Sequence, residues 1–146
     1  MLRVEPADLA LARELILEYA VATGVDLSFQ GFAEEIEHLD SHYEIIFLAR
    51  WNAEPAGCVA LRRIDATTSE MKRLYVRAAF RGKDVGRALA LRVIEEARAR
   101  GFTRMLLDTL PTMTTAMKLY QSLGFVDIPP YRYNPVEGTR YMQLIW

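Results

Sequence analysis

Residues 70–89 read EMKRLYVRAAFRGKDVGRAL: an alternating run from Glu70 to Val76 passes through a glycine-containing, cation-rich loop into the start of a helix. The alternation predicts a strand over 69–77. Glu70, Lys72, Leu74 and Val76 are expected on one face and Met71, Arg73, Tyr75 and Arg77 on the other. Polar groups on both faces set it apart from a plain core strand. In the loop, Gly82 and Gly86 stand among Arg81, Lys83 and Arg87. Backbone N–H groups and the positive end of a helix dipole at such a junction suit an anion. Asp84 lies in the middle of this cradle and opposes its charge. A tight strand-to-helix turn would use the same glycines, but it does not need three cations.

Downstream, Val85, Leu89, Val93 and Ala97, with Ala90 and Ile94, form one apolar helix face, and Arg87, Arg92, Glu95 and Arg98 lie opposite, with Leu91 as an exception. Gly101 closes the helix. Residues 104–109 read as a strand, and Pro111 as the opening of a helix that runs to Leu123 and stops at Gly124. Residues 125–128 and 141–145 read as a hairpin around a Pro- and Tyr-rich loop. Upstream come a short strand (2–4), a helix over 7–23 with Leu9, Ala12, Ile16 and Tyr19 at helical spacing, and a cap at Gly24. A loop (26–30), a second helix (31–39) and a hairpin of residues 43–49 and 57–64 follow. This order predicts an α/β fold with a mixed sheet, in which the strand–helix–strand unit over 69–109 is a right-handed parallel crossover.

The chain has 146 residues, 51% hydrophobic and 25% charged, which predicts one domain over 1–146. Lys and Arg number 18 against 19 for Asp and Glu, so neither nucleic acid nor an anionic membrane is expected as a partner. The single cysteine, Cys58, lies in an apolar run and cannot form an internal disulfide. A buried thiol in a reducing cytoplasm is the expectation. No apolar segment approaches the ~20 residues that span a bilayer, and the amino terminus carries Glu5 and Asp8 rather than a basic leader. His38 and His42 are four residues apart, but the acids around them read as a solvated helix face, so no metal site is expected.

A phosphate loop of the Gly-Lys-Ser/Thr type is absent, and a dinucleotide fingerprint lacks its third glycine. Together, the strand EMKRLYV (70–76), the loop RGKDVG (81–86) and the later AMKLYQSLGF (116–125) resemble the three central motifs of the GNAT N-acetyltransferase superfamily. The resemblance implies a GNAT fold: a mixed, mostly antiparallel central sheet with a parallel, splayed strand pair, flanked by about four helices. Acetyl-CoA would enter where the strand ending at Val76 splays from the strand around Leu106. The main chain of Leu74, Tyr75 and Val76 would pair with pantetheine and polarise the thioester carbonyl. The loop Arg81, Gly82, Lys83, Asp84, Val85, Gly86 and Arg87 would hold the pyrophosphate. Asp84 stands where the family has a glycine, and Met113 where it commonly has a pantetheine-binding asparagine.

The resemblance also implies Glu70 as general base, with burial raising its pKa, and Tyr120 as general acid. The competing readings are an ion pair of Glu70 with Lys72 or an arginine, and a core aromatic at Tyr120. The acceptor would meet residues 26–30 and 129–135, with Arg132 available to a carboxylate and Tyr131 and Tyr133 to wall an amine. The expected function is acetyl transfer to a primary amine of an amino-acid-like or polyamine acceptor, in the cytoplasm and without metal. The expected partners are acetyl-CoA and that amine, with a homodimer allowed. A protein lysine or N-terminal acetyltransferase and a non-catalytic acyl-CoA-binding module are the alternatives.

Overall fold

Strand β2 (Ile45–Trp51) shows why the chain forms layers: Phe47 and Ala49 belong to one buried apolar cluster, and Ile46 and Leu48 to another. Alternation along an extended chain sends successive side chains to opposite faces, so an uninterrupted apolar strand must be covered on both. The computed structural model, which describes residues 1–28 and 31–146, has helices on each face of one seven-stranded sheet. The other strands are β1 (Leu2–Pro6), β3 (Glu54–Arg63), β4 (Thr68–Val76), β5 (Arg104–Thr109), β6 (Val126–Ile128) and β7 (Arg140–Ile145). Their order across the sheet is β1-β2-β3-β4-β5-β7-β6, antiparallel except for the parallel pair β4–β5.

Helix α1 (Leu9–Thr23) covers one face, and the short α2 (Phe32–Glu37) and α3 (Leu39–His42) adjoin it. Ala12, Leu15 and Ile16 pack with Leu39, Tyr43 and Cys58 there. Helix α4 (Val85–Ala99) covers the other face with Leu89, Val93 and Ala97 against Phe47, Leu61 and Met105, and α5 (Thr114–Ser122) adds Tyr120. The expected exception on α4, Leu91, is half exposed.

Most strand boundaries shift by one to three residues, and three differences in the helices have a local cause. Helix α1 begins at Leu9, because Asp8 is its N-cap and accepts a hydrogen bond from the Leu11 N–H at 2.9 Å. The single helix expected over 31–39 is two, broken at His38, whose φ of −130° leaves the helical region. Helix α5 begins at Thr114 rather than Pro111, since Met113 takes a non-helical ψ of 60°.

The decisive correction lies in β4. Arg73 has φ +60°, and the pairing with β3 slips between Cys58 and Ala60. This β-bulge inserts an extra residue and exchanges the faces beyond it. Met71, Leu74 and Val76 therefore pack on the α4 side and Tyr75 on the α1 side, so the predicted shared face of Glu70, Lys72, Leu74 and Val76 does not exist. Just ahead of the bulge, β4 also leaves β5: their pairing ends at Glu70↔Leu106.

Candidate active site

The parting of β4 from β5 opens the sheet where sequence reasoning expects an opening. In an antiparallel pair, main-chain N–H groups point alternately to the two edges. The Arg77 N–H donates to the Ala56 carbonyl on β3 at 2.8 Å, so the N–H groups of Val76 and Leu74 point to the vacated β5 edge. They face a cleft of about 880 Å3 lined by Leu74, Tyr75, Val76, Arg81, Gly82, Asp84, Val85, Gly86 and Arg87 on one side. The first turns of α5, with Met113, Thr115 and Lys118, line the other.

The start of α4 forms the floor. The first intrahelical hydrogen bond runs from the Ala88 N–H to the Asp84 carbonyl at 3.0 Å, so the N–H groups of Val85, Gly86 and Arg87 have no helical partner. A Cβ built on Gly86 would lie 3.6 Å from Leu119 and Val76. The fold itself has room for an alanine there.

The cations divide. Arg81 Nε donates to the Val76 carbonyl at 3.3 Å and Arg87 Nη2 to Ser122 Oγ at 2.8 Å, both within the cleft wall. Lys83 turns away, with its ammonium 5.0 Å from the centre of the Trp51 ring, and does not line the cleft. Asp84 is exposed, in the left-handed conformation (φ 60°, ψ 19°), and its side chain makes no capping hydrogen bond.

A second, much smaller cavity, of about 30 Å3, lies in the gap between β4 and β5 and shares Tyr19, Leu74 and Met113 with the cleft. Tyr120, Lys72, Arg73, Asp108, Thr109 and Asn134 line it. Tyr120 is 7% exposed and its ring meets Phe125 edge-on, with centroids 5.8 Å apart. It is thus both a core aromatic and a cavity residue. Burial above all, with the charges of Tyr19 and Asp108, pushes its phenol above the ordinary tyrosine value. It stays protonated at neutral pH.

Glu70 is ion-paired with two arginines, which is the competing reading for it beside the general base. Its side chain is fully buried and faces neither cavity. Arg62 donates to Oε1 at 3.2 Å, Tyr131 to Oε2 at 2.6 Å, and Arg132 pairs with Oε2. Burial raises its pKa, as expected, but the charges of Lys72 and Arg132 and the Tyr131 hydrogen bond outweigh it, so the net displacement is downward. The cation expected to hold an acceptor's carboxylate, Arg132, is thereby matched by a carboxylate of the protein itself.

Lys72 is brought down to about 8, chiefly by burial and then by the charge of Arg73. Arg73 forms a bidentate pair with Glu35 of α2, at 2.9 and 2.6 Å, and Tyr43 donates to the same carboxylate at 2.6 Å. Of the acceptor loops, Leu27 and Asn134 reach the small cavity and Tyr133 is 78% exposed. Phe29 and Gln30 lie outside the described residues.

Sequence reasoning missed Asp108, Thr109 and the Glu35–Arg73 pair. The signal for the first two was a polar pair closing an apolar strand, Met105-Leu106-Leu107. For Glu35 there was none, since it read as one acid among four on a solvated helix.

The sequence profile of the Acetyltransferase (GNAT) family matches residues 11–125. An uncharacterised N-acetyltransferase of Schizosaccharomyces pombe is 37% identical over 145 residues, covering 95% of this chain and 89% of the yeast protein. Among solved structures, an acetyltransferase from Streptococcus agalactiae superposes with a TM-score of 0.80 at 24% identity, covering 99% of this chain and 98% of that one. A GNAT family acetyltransferase from Elizabethkingia anophelis, solved with acetyl-CoA bound, gives 0.75 at 20% identity, over 99% and 98%.

Proposed function

Because the chain belongs to the GNAT family of acetyltransferases, we propose that it transfers the acetyl group of acetyl-CoA to a primary amine of a small acceptor, amino-acid-like or polyamine. The observation that carries this reading is the junction of two cavities at Leu74, Met113 and Tyr19: an open cleft with helix N–H groups for a long anionic donor, and a small polar cavity that holds Tyr120. The acetyl-CoA bound to the Elizabethkingia protein supports the same donor here.

In this reading the pyrophosphate lies on the N–H groups of Val85, Gly86 and Arg87, with Arg81 and Arg87 beside it. Pantetheine runs along the vacated edge of β4. A main-chain N–H of Leu74 or Val76 aimed at the thioester oxygen as negative charge grows there is worth about 3–4 kcal/mol. The amine nitrogen attacks the carbonyl carbon, the N–C bond forms and the C–S bond breaks, and Tyr120 gives its proton to the departing sulfur. A phenol above its ordinary value remains a donor to a thiolate whose conjugate acid is near 8.5.

The amine must shed a proton, and Glu70, which faces neither cavity, serves that step only at one remove. Lys72, which lines the small cavity and is brought down to about 8, takes the proton in its neutral form, and the Glu70 charge stabilises the ammonium so formed until it returns the proton to solvent.

The test is CoA release measured over a panel of free amines and lysine- or amino-terminal peptides, in wild type and Tyr120→Phe. Turnover of a free amine, reduced roughly ten- to a thousand-fold by Tyr120→Phe with little change in acetyl-CoA affinity, is the expected result. Turnover confined to peptides makes the chain a protein acetyltransferase. Donor binding with no turnover on any acceptor makes it a binding module.

A further inference from the structure

Two polar atoms of the small cavity have no hydrogen-bond partner among the described residues: Asp108 Oδ2 and Thr109 Oγ1, both buried. A buried acceptor left unpaired costs free energy and in a folded protein calls for an occupant. The two residues are consecutive at the end of β5. Met105 and Leu107 pack in the α4-side cluster, so alternation turns Thr109 to that side and Asp108 to the α1 side. The orphan oxygens therefore bracket the gap between β4 and β5 from its two sides, with Tyr120 lining the same cavity.

We propose that Asp108, assisted by Thr109, is the anchor for the acceptor's primary ammonium group, an inference that rests on the small cavity being the acceptor's end of the site. Charge, size and stoichiometry select this ligand. Of the described charged residues that line the cavity, Arg73 is matched by Glu35, Lys72 is attracted by both Glu70 and Asp108, and Asp108 is the one carboxylate. A volume of about 30 Å3 takes a head group the size of a water molecule, which an ammonium is and a guanidinium is not. Three N–H donors on one nitrogen can serve Asp108 Oδ2 and Thr109 Oγ1 and leave one to depart. The Asp108 charge is also felt at Tyr120, Lys72 and Tyr131, so a cation seated against it lies among the groups that handle the protons. The acceptor enters from the α1 side, past Tyr19, Leu27 and Asn134, and presents its nitrogen through the gap to the thioester.

The experiment reads binding, separately from turnover. The CoA-loaded protein is titrated with n-propylammonium chloride, 1-propanol and N,N,N-trimethylpropylammonium chloride, followed by amide NMR shifts. The expected result is that wild type binds propylammonium at least tenfold better than the other two. Asp108→Asn should abolish that preference, and Thr109→Val should weaken propylammonium several-fold, with CoA affinity unchanged in both. Equal binding of the three probes by wild type, or an undiminished preference in Asp108→Asn, overturns the proposal and leaves the gap a place for an ordered water. Acetylation of the amine panel is measured in parallel: an intact preference with no turnover would sink the enzymatic reading while the anchor stands.

Discussion

Asp84 holds a backbone that most side chains avoid. At φ 60° the left-handed region costs a non-glycine residue roughly 1–2 kcal/mol, less for aspartate than for bulkier residues, and here no side-chain cap offsets it. The neighbouring cations are engaged elsewhere, Arg81 with the Val76 carbonyl, Arg87 with Ser122 and Lys83 with Trp51. Among the described residues the Asp84 carboxylate at the head of α4 has no ion-pair partner, and in the proposed function it stands beside the donor's pyrophosphate. Asp84→Gly is expected to tighten CoA binding about five- to a hundred-fold, the range that about 1–3 kcal/mol of relieved strain and repulsion implies. Calorimetry at low and high salt checks it, because the repulsive share should shrink as salt screens it. Unaltered or weaker binding would mean that the aspartate orders the loop.

At the scale of elements, the site is made by two places where regular structure stops. Strand β4 ceases to pair with β5 at Glu70, which frees an edge, and helix α4 starts with unbonded N–H groups, which supply an anion seat. Gly86 separates the binding role of that seat from its packing role, since an added Cβ meets Leu119 and Val76 at an ordinary 3.6 Å. Gly86→Ala should therefore keep or slightly raise the Tm of the free protein, as glycine in a helix is worth roughly 1 kcal/mol less than alanine. It should also lower CoA affinity at least tenfold by standing the backbone off from the phosphate. A melting curve and a CoA titration of the variant settle the matter: a fall in Tm with intact affinity would make Gly86 a packing residue.

Across the whole molecule, the bulge beside the opening of the sheet is tied to the helices above it by a buried ion pair. Arg73, in its left-handed conformation, meets Glu35 of α2, and Tyr43 completes the carboxylate's partners. Burial pushes the Glu35 carboxyl up, but the Arg73 hydrogen bonds and charge, with Tyr43, hold it below its ordinary value, as Glu70 is held by Lys72, Arg132 and Tyr131. A carboxyl lowered by folding contributes stability that is fully present above its unfolded value of about 4.3 and is lost as pH falls through the folded value. Glu35→Gln is expected to cost about 3–5 kcal/mol at pH 7, because it strands a buried guanidinium. It should also flatten the loss of stability on going below about pH 4.5. Urea melts of wild type and variant between pH 3 and 7 measure both; parallel curves would show that the pair contributes nothing to the acid limb.

Local chemistry was legible in the sequence. The helix faces of α4 and the glycine closures at Gly24 and Gly101 depend on residues within a few positions of one another, the order of elements predicted the parallel pair that flanks α4, and all but Lys83 of the loop 81–87 line the cleft. The bulge at Arg73, the Glu35 pair that holds it, the partners that enclose Glu70 and the orphan oxygens of Asp108 and Thr109 were decided only by the tertiary structure. Each is a balance between burial and partners brought together from distant parts of the chain: Glu35 reaches Arg73 across 38 residues and Tyr131 reaches Glu70 across 61. Alternation predicts which way a side chain points while the pleat continues. It cannot register one inserted residue that long-range packing holds in place, and that residue turned the faces of β4 beside the opening.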